Sequence, residues 1–278
     1  MKVSKHVHLI RKEFNVTPTV KRYINIYLIT GKYCYLIDSG VAGSETLIET
    51  YLASIGRKIT DIKGVFFTHS HPDHIGAAAA IKRLTNCKIY APAGELPWIE
   101  NIQQQFAERP IPNFFTLLPE SVQVDFPLQD GDAISLEDGL TISALFTPGH
   151  SHASMCYLLN DALAFTGDAI PVANDLPIFV DFEKTIESIN KLGQLSNIEK
   201  YCPAWDNVYN KNEFTNIVNS SKENLYFLKD IAMTVEQEFP QASTQDKLQK
   251  ILSRSNLLPY AGNPLIVRSI ETCCRKKE

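Results

Sequence analysis

Three histidines and one aspartate are concentrated in the segment from His69 to His74, which reads H-S-H-P-D-H. Imidazole nitrogen and carboxylate oxygen bind zinc and related divalent cations at about 2.0–2.2 Å. The apolar run Val65–Phe67 predicts a strand before this segment, and the alanine-rich residues 75–84 predict a helix after it. Four ligand side chains on one strand-to-helix turn predict a metal centre, and their number suits two ions.

Three further segments place polar residues at predicted strand ends. Thr147–Ser151 reads T-P-G-H-S, Thr166–Asp168 reads T-G-D, and Asp38 closes a predicted hairpin within Leu36–Gly40. Each of these alone is typical of a turn or a cap. Together with the histidine segment, and in their order along the chain, these segments resemble the signature of the metallo-β-lactamase fold superfamily. The resemblance covers about residues 23–206.

The resemblance implies a set of metal ligands made of four histidines and two aspartates. A first ion would be held by His69, His71 and His150, a second by Asp73 and His74, and both by Asp168. Zinc is the implied metal, with iron or manganese as alternatives. Because bound cations lower the pKa of water from about 15.7 to about 7, hydroxide would be present as the nucleophile at neutral pH. Asp73 would orient that hydroxide or carry its proton.

The final motif departs from the family pattern. The segment from Tyr201 to Asp206 reads Y-C-P-A-W-D, so that Trp205 stands where the family usually has a histidine. An indole nitrogen only donates hydrogen bonds and cannot bind a cation, so the second site lacks a nitrogen ligand unless Asp206 or water replaces it. Two further side chains are candidates for support near the metal: Asp38 behind the histidine loop, and His152 as a proton carrier or substrate contact.

The elements that must position these residues alternate between strands and helices. Apolar runs predict a hairpin from Tyr23 to Asp38, a helix over 45–55, successive antiparallel strands over 122–165 and a strand near 199–202. Residues 95–107 and the segment after Asp181 predict further helices. With the resemblance, this pattern predicts an αββα sandwich over 1–211 and a C-terminal helical appendage over 212–278 packed on it.

We expect a metal-dependent hydrolase that uses a metal-activated water to cleave a small carbonyl substrate. Ester, thioester and lactone substrates rank ahead of β-lactams. A cluster of aromatic residues, Trp98, Phe106, Phe114 and Phe115, is interpreted either as the wall of an apolar pocket or as core. Two other functions stay open: a mononuclear iron dioxygenase acting on a persulfide through His69, His150 and Asp168, and a non-catalytic metal-binding sensor module.

Composition excludes several classes of protein. The chain has 278 residues, 44% of them hydrophobic, with 27 Lys+Arg against 31 Asp+Glu and a formal charge of −4. Such a chain is globular and has no general attraction for nucleic acid. Its apolar stretches are far shorter than the roughly 20 residues that cross a bilayer. The N-terminus does not resemble a signal peptide and the cysteines show no C-x-x-C spacing, which predicts a cytoplasmic protein. The expected partner is a small-molecule substrate, with no nucleic acid or membrane, and a homodimer is an open alternative.

Overall fold

The structure is a computed structural model that describes residues 1–171 and 176–274. The chain divides into two compact units. The first contains Met1–Phe146, Ala153–Gly167 and Asn197–Val208, and the second contains the described residues of 147–152, 168–196 and 209–278. The boundary that the sequence predicts between residues 211 and 212 stays a prediction.

The first unit begins with a six-stranded sheet whose strands follow one another in chain order. These strands are β1 (Val7–Thr17), β2 (Val20–Thr30), β3 (Cys34–Ile37), β4 (Ile62–Phe66), β5 (Lys88–Pro92) and β6 (Phe126–Leu128). The first three are antiparallel, whereas β3 to β6 are parallel. Parallel neighbours need crossover connections, and helices supply them here.

Six helices of the first unit lie in these crossovers. They are α1 (Ser44–Ser54), α2 (Pro72–Ile75), α3 (Ala78–Thr85), α4 (Leu96–Ile99), α5 (Ile102–Glu108) and α6 (Phe114–Leu117). Short 3₁₀ turns occur at Ile59–Asp61 and Ala93–Glu95. The histidine segment lies at the start of the crossover from β4 to β5, and its last three residues belong to α2. In this position the carboxyl end of a parallel strand delivers side chains to a site.

Five more strands of the first unit form a second sheet in the order β11-β10-β9-β8-β7. They are β7 (Ala133–Glu137), β8 (Leu140–Phe146), β9 (Met155–Leu159), β10 (Leu163–Gly167) and β11 (Lys200–Pro203). The strands from β7 to β10 are antiparallel neighbours, and β11 runs parallel to β10.

The core of this unit lies on both faces of β2, where Ile24–Ile29 is buried without interruption and Asn25 is its one polar residue. Side chains alternate across a strand, so such a run marks a sheet covered on both faces. Leu28 packs in one cluster with Ile48 and Leu52 of α1. Tyr27 faces the other way and packs with Phe165 of β10, with ring centroids 5.3 Å apart.

The second unit is mainly helical. Its elements are α7 (Phe182–Gly193), the two-residue strand β12 (Tyr209–Asn210), α8 (Lys211–Glu238), α9 (Thr244–Arg254), a 3₁₀ turn (Leu258–Tyr260) and α10 (Pro264–Cys273). Helix α8 contacts α7, α9 and α10. Each of these helices begins at a side-chain cap: Asp181, Asn210, Ser243 and Asn263 each accept a hydrogen bond from a backbone N–H of the first turn.

Three predicted elements differ from the structure. The helix predicted over 75–84 is interrupted, with α2 ending at Ile75 and α3 starting at Ala78. The helix predicted over 95–107 is broken before Ile102, where Asn101 caps α5 by accepting from Gln104 N. Strand β6 pairs in parallel with β5 instead of opening the antiparallel series, because the Asp125 backbone and carboxylate bond to Ile89.

Over the described residues, none of the helices combines the length and apolar character that crossing a bilayer requires.

Candidate metal centre

The end of β3 fixes the start of the histidine segment. Asp38 N donates to Phe66 O at 2.8 Å, and Thr68 N donates in return to Asp38 Oδ1 at 2.8 Å. Asp38 adopts a φ of 59°, a left-handed conformation that aspartate accepts more readily than most residues. The histidine segment then runs directly into α2, which Pro72 opens after the N-cap residue His71.

Strand β9 of the second sheet fixes the same segment from another side. Tyr157 Oη donates to Phe67 O at 2.7 Å, and Met155 N donates to Thr68 O at 2.8 Å. Burial raises the pKa of Tyr157 well above its usual value, so the phenol keeps the proton that it donates. Both sheets therefore anchor the residues just before His69.

The histidine side chains form a compact buried cluster. The ring centroid of His69 lies 4.3 Å from that of His71 and 4.0 Å from that of His74. Potential ligand atoms form two groups, and within each group all of the atoms lie within 4.8 Å of one another. One group comes from His69, His71 and His150, and the other from His69, His74 and Asp168. Five of the six predicted ligands are thereby brought together.

A hydrogen-bond chain orients two of these imidazoles. Thr68 Oγ1 donates to Asp38 Oδ2 at 2.9 Å and therefore accepts from His69 Nδ1, which lies 3.0 Å away. His74 Nδ1 lies 2.8 Å from the same Asp38 Oδ2. With both Nδ1 atoms acting as donors, Nε2 carries the lone pair on each ring. This pattern is the one that outer carboxylates impose on metal-binding histidines.

His150 is oriented independently. Its Nδ1 lies 2.9 Å from Ile178 O, so the same argument assigns the Nδ1–H tautomer and leaves the lone pair on Nε2. That Nε2 lies 3.3 Å from Asp168 Oδ2. His150 is buried and Asp168 is partly buried.

The donor set fits a divalent metal ion. Three imidazoles whose ligand atoms converge within 4.8 Å, with a carboxylate nearby, suit the nitrogen and oxygen preferences of zinc. The same donors also suit iron and manganese, so the donor chemistry does not select one metal.

Asp73 and His152 lie outside both groups of ligand atoms. Asp73 is partly buried, and its Oδ2 lies 3.7 Å from His74 Nε2. His152 is exposed. The ligand and proton-transfer roles that the sequence assigns to Asp73, and the substrate or proton role of His152, stay predictions.

Trp205, which stands where the family usually has a histidine, lies in the first unit. Ala204 N donates to Gly167 O at 3.0 Å, which places this segment beside the strand that leads to Asp168. The Trp205 ring packs against the β1–β2 hairpin, 6.3 Å from Phe14 and 6.0 Å from Tyr23 between ring centroids, with Arg22 at 5.7 Å. Its indole thus belongs to an aromatic and cationic cluster.

Asp206 does not join either ligand group. Its Oδ1 accepts hydrogen bonds from Asn207 N at 2.8 Å and Asn207 Nδ2 at 3.0 Å, and its backbone N donates to Tyr23 Oη. The role of Asp206 as a replacement ligand stays a prediction.

Thr68 and Ser39 support the histidine segment, although the sequence motifs do not single them out. Thr68 links His69 to Asp38, and its position as a polar residue between a buried strand and a histidine was an available signal. Ser39 donates through both N and Oγ to His74 O. Gly167 makes room for this network, because a Cβ there would lie 2.8 Å from Thr68 Oγ1 and its φ is 50°.

The predicted aromatic cluster is partly exposed. Phe106 lies 5.3 Å from Phe114 and 4.9 Å from Phe115 between ring centroids. Phe114 is buried, whereas Phe106 and Phe115 are 36% and 40% exposed. The Trp98 side chain makes a polar contact, since its Nε1 donates a hydrogen bond to Glu108 Oε2.

Comparisons with known proteins place this site in a family. The sequence model of the metallo-beta-lactamase superfamily matches residues 19–204. A hydroxyacylglutathione hydrolase from Hyphomonas neptunium is 28% identical over 182 residues, covering 63% of this chain and 62% of that protein. A probable polyketide biosynthesis zinc-dependent hydrolase from Bacillus velezensis is 28% identical over 144 residues, covering 50% and 55%. The chain thus spans less than two thirds of the length of these relatives.

A probable metallo-hydrolase from Methanocaldococcus jannaschii is 27% identical, with 69% of this chain and 91% of that protein covered. Among solved structures, a metallo-beta-lactamase family protein from Thermus thermophilus superposes with a TM-score of 0.73 at 16% identity, covering 98% of this chain and 92% of that one. This likeness confirms the predicted fold class, an α/β metallo-β-lactamase-like sandwich with C-terminal helices. The chain belongs to the metallo-beta-lactamase superfamily.

Proposed function

We propose that this chain is a metal-dependent hydrolase that cleaves a small carbonyl substrate with a metal-activated water. The observation that carries the proposal is the convergence of buried ligand atoms from His69, His71 and His150 within 4.8 Å. A zinc ion held there supplies an acidified water and a Lewis acid for the carbonyl oxygen.

The residues around the cluster have defined tasks in this proposal. His69, His71 and His150 hold the metal through imidazole nitrogen. Asp38 keeps the ring of His74 in its Nδ1–H tautomer directly and that of His69 through Thr68. Asp73 is partly buried beside His74, where its carboxylate orients the attacking water and accepts its proton.

The proposed substrate class is thioester, ester or lactone, ahead of β-lactam. The name of the Hyphomonas relative supports a thioester, since an acylglutathione is one. The exposed rings of Phe106 and Phe115 supply apolar surface in the same unit as the histidine segment and suit an acyl chain. Zinc is the proposed metal, supported by the name of the Bacillus velezensis relative. We place the enzyme in the cytoplasm, acting on small molecules and not on nucleic acid or membranes.

A second candidate function follows from the composition of one ligand group. The sequence assigns this alternative to His69, His150 and Asp168, whereas the ligand atoms of His69, His74 and Asp168 are the ones that lie together and provide two imidazoles and one carboxylate. This is the donor set of non-haem iron oxygenases, which leaves a persulfide dioxygenase as the alternative.

Metal analysis followed by activity assays tests both candidates. Protein purified without chelator is analysed for zinc, iron and manganese, then assayed on a panel of thioesters, esters and lactones and, separately, for oxygen uptake with a persulfide. Hydrolysis that a chelator removes and zinc restores supports the proposal. Iron-dependent oxygen uptake without hydrolysis would transfer the assignment to the dioxygenase, and inertness in every assay with metal bound would leave only a binding role.

A further inference from the structure

A buried carboxylate outside the ligand set bridges two segments that carry histidines. Glu95 ends the 3₁₀ turn that follows β5, and it is only 3% exposed. Its Oε2 accepts from Ser70 N at 3.2 Å and, at closer range, from Ser70 Oγ. Its Oε1 accepts from Ala153 N at 2.9 Å.

The two hydrogen-bond partners of the Glu95 carboxylate, Ser70 and Ala153, are close in sequence to proposed metal ligands. Ser70 lies between His69 and His71, and Ala153 follows three residues after His150. Both partners and Glu95 belong to the first unit. One side chain therefore sets the spacing between the backbone of the histidine segment and the chain that emerges from the segment containing His150.

Neighbouring residues reinforce this arrangement. Gln105, fully buried, donates through Nε2 to Ser70 O at 2.7 Å, so the N–H, hydroxyl and carbonyl of Ser70 are all held. Gly94 permits the close approach of the second partner, because a Cβ at position 94 would lie 2.6 Å from Ala153 Cβ. The local packing is thus adapted to the Glu95 bridge.

We propose that Glu95 is a positioning residue that fixes the backbone bearing His69 and His71 against Ala153 and thereby sets the affinity of these histidines for a metal ion. This inference rests on the proposed metal centre. An ionised carboxylate makes short, strong hydrogen bonds to N–H and O–H donors, and it resists displacement of either donor when buried. Outer groups that hold metal ligands in place typically change metal affinity by about 10–100-fold when they are altered.

The decisive variant is Glu95→Gln, which keeps size and shape but replaces one acceptor oxygen with a donor. Either Ser70 or Ala153 then faces an N–H group instead of an acceptor, and its segment must shift. We expect zinc affinity, measured by competition with a chromophoric chelator, to fall about tenfold or more. The visible spectrum of the cobalt-substituted protein should change as well, because the ligand geometry changes.

Glu100→Gln is the matched control. Glu100 Oε1 also accepts a hydrogen bond from a backbone N–H, that of Val124 at 3.0 Å, but Val124 belongs to neither histidine-bearing segment. This variant should bind zinc like the unmodified chain and give its cobalt spectrum. A purely structural role of Glu95 would lower the unfolding midpoint of the metal-free protein and leave the affinity of the folded protein and its spectrum unchanged, and that result would overturn the proposal.

Ser70→Ala provides a milder variant if Glu95→Gln does not fold. It removes the hydroxyl donor and retains the backbone N–H, so we expect a loss of zinc affinity of about several-fold. Unchanged affinity in Ser70→Ala, with Glu95→Gln unfolded, also contradicts the proposal. Failure of the proposed function has a different signature, because the unmodified chain would then itself bind no metal or hydrolyse nothing.

Discussion

At the end of β4 the chain presents three clustered imidazoles, whereas at the end of β11 it presents the indole of Trp205. The first region is tied by hydrogen bonds to a buried aspartate, which orients rings that can accept a cation. The second region is also held by hydrogen bonds, from Asn25 N to Ala204 O and from Tyr27 Oη to Pro203 O, but its Trp205 ring packs against Tyr23 and Arg22. The difference teaches that hydrogen bonds fix the backbone at both strand ends, whereas the exposed chemistry differs: imidazoles oriented by an aspartate at one end, and a packed indole at the other.

The largest effect is expected from His71→Ala, which removes a ligand from the first region. Even outer partners of metal ligands change affinity or activity by about 10–100-fold, so loss of a ligand should cost more than about 100-fold in hydrolysis rate. His6→Ala is the control, since His6 bonds Thr30 O and lies in neither ligand group. An undiminished rate in His71→Ala would remove this residue from the mechanism.

Asp38→Asn compared with Asp206→Asn contrasts the two regions directly. Asp38 accepts from Thr68 N, from Thr68 Oγ1 and from His74 Nδ1, and an amide cannot accept all three. We expect zinc affinity to fall by about 10–100-fold and the free energy of unfolding by about 1–3 kcal/mol. Asp206→Asn should leave zinc affinity unchanged, and a large loss there would show that Asp206 binds metal after all.

Trp205→His would make the second region resemble the first. If the indole is what limits the second metal position, zinc content of the purified protein should rise from near one ion per chain towards two, as measured by elemental analysis. Trp205→Phe controls for loss of the indole and should stay near one. Two tightly held ions in the unmodified chain would contradict this interpretation.

The smallest effect is expected at Asp125, which lies in neither region and separates stability from metal binding. Burial alone would raise the pKa of this carboxyl, but hydrogen bonds from Lys82, Ile89 N and Lys88 outweigh it and lower the pKa to about 2. A depressed pKa stabilises the fold above the unfolded value and loses that contribution as pH falls through about 2. Asp125→Asn should therefore cost about 1 kcal/mol at neutral pH, allowing for solvent screening, and less in acid.

Urea titrations at several pH values check this expectation for Asp125→Asn. Zinc affinity should be unaffected at neutral pH. A stability loss that does not shrink in acid would contradict the assignment of the effect to the ionised carboxylate.

The histidine segment could be predicted because its ligands are neighbours in sequence and their residue types are rare. The hairpin from Tyr23 to Asp38 could also be predicted, because its β-branched and aromatic residues lie on both sides of Gly31 and form β2 and β3. The bridge from Glu95 could not be predicted, because its partners lie 25 and 58 residues away and a lone glutamate in a loop carries no local signal. The breaks before α3 and before α5 were missed for a related reason: both depend on local backbone geometry that apolar spacing does not encode.

Gly167 is a position where a small substitution would disturb the hydrogen bonds that orient His69. Because a methyl group at that position would press on the hydroxyl of Thr68, an alanine there would disturb His69 and Asp38 without touching either of them. A library of variants of this chain must therefore keep glycine at position 167, even where every proposed metal ligand is left unchanged.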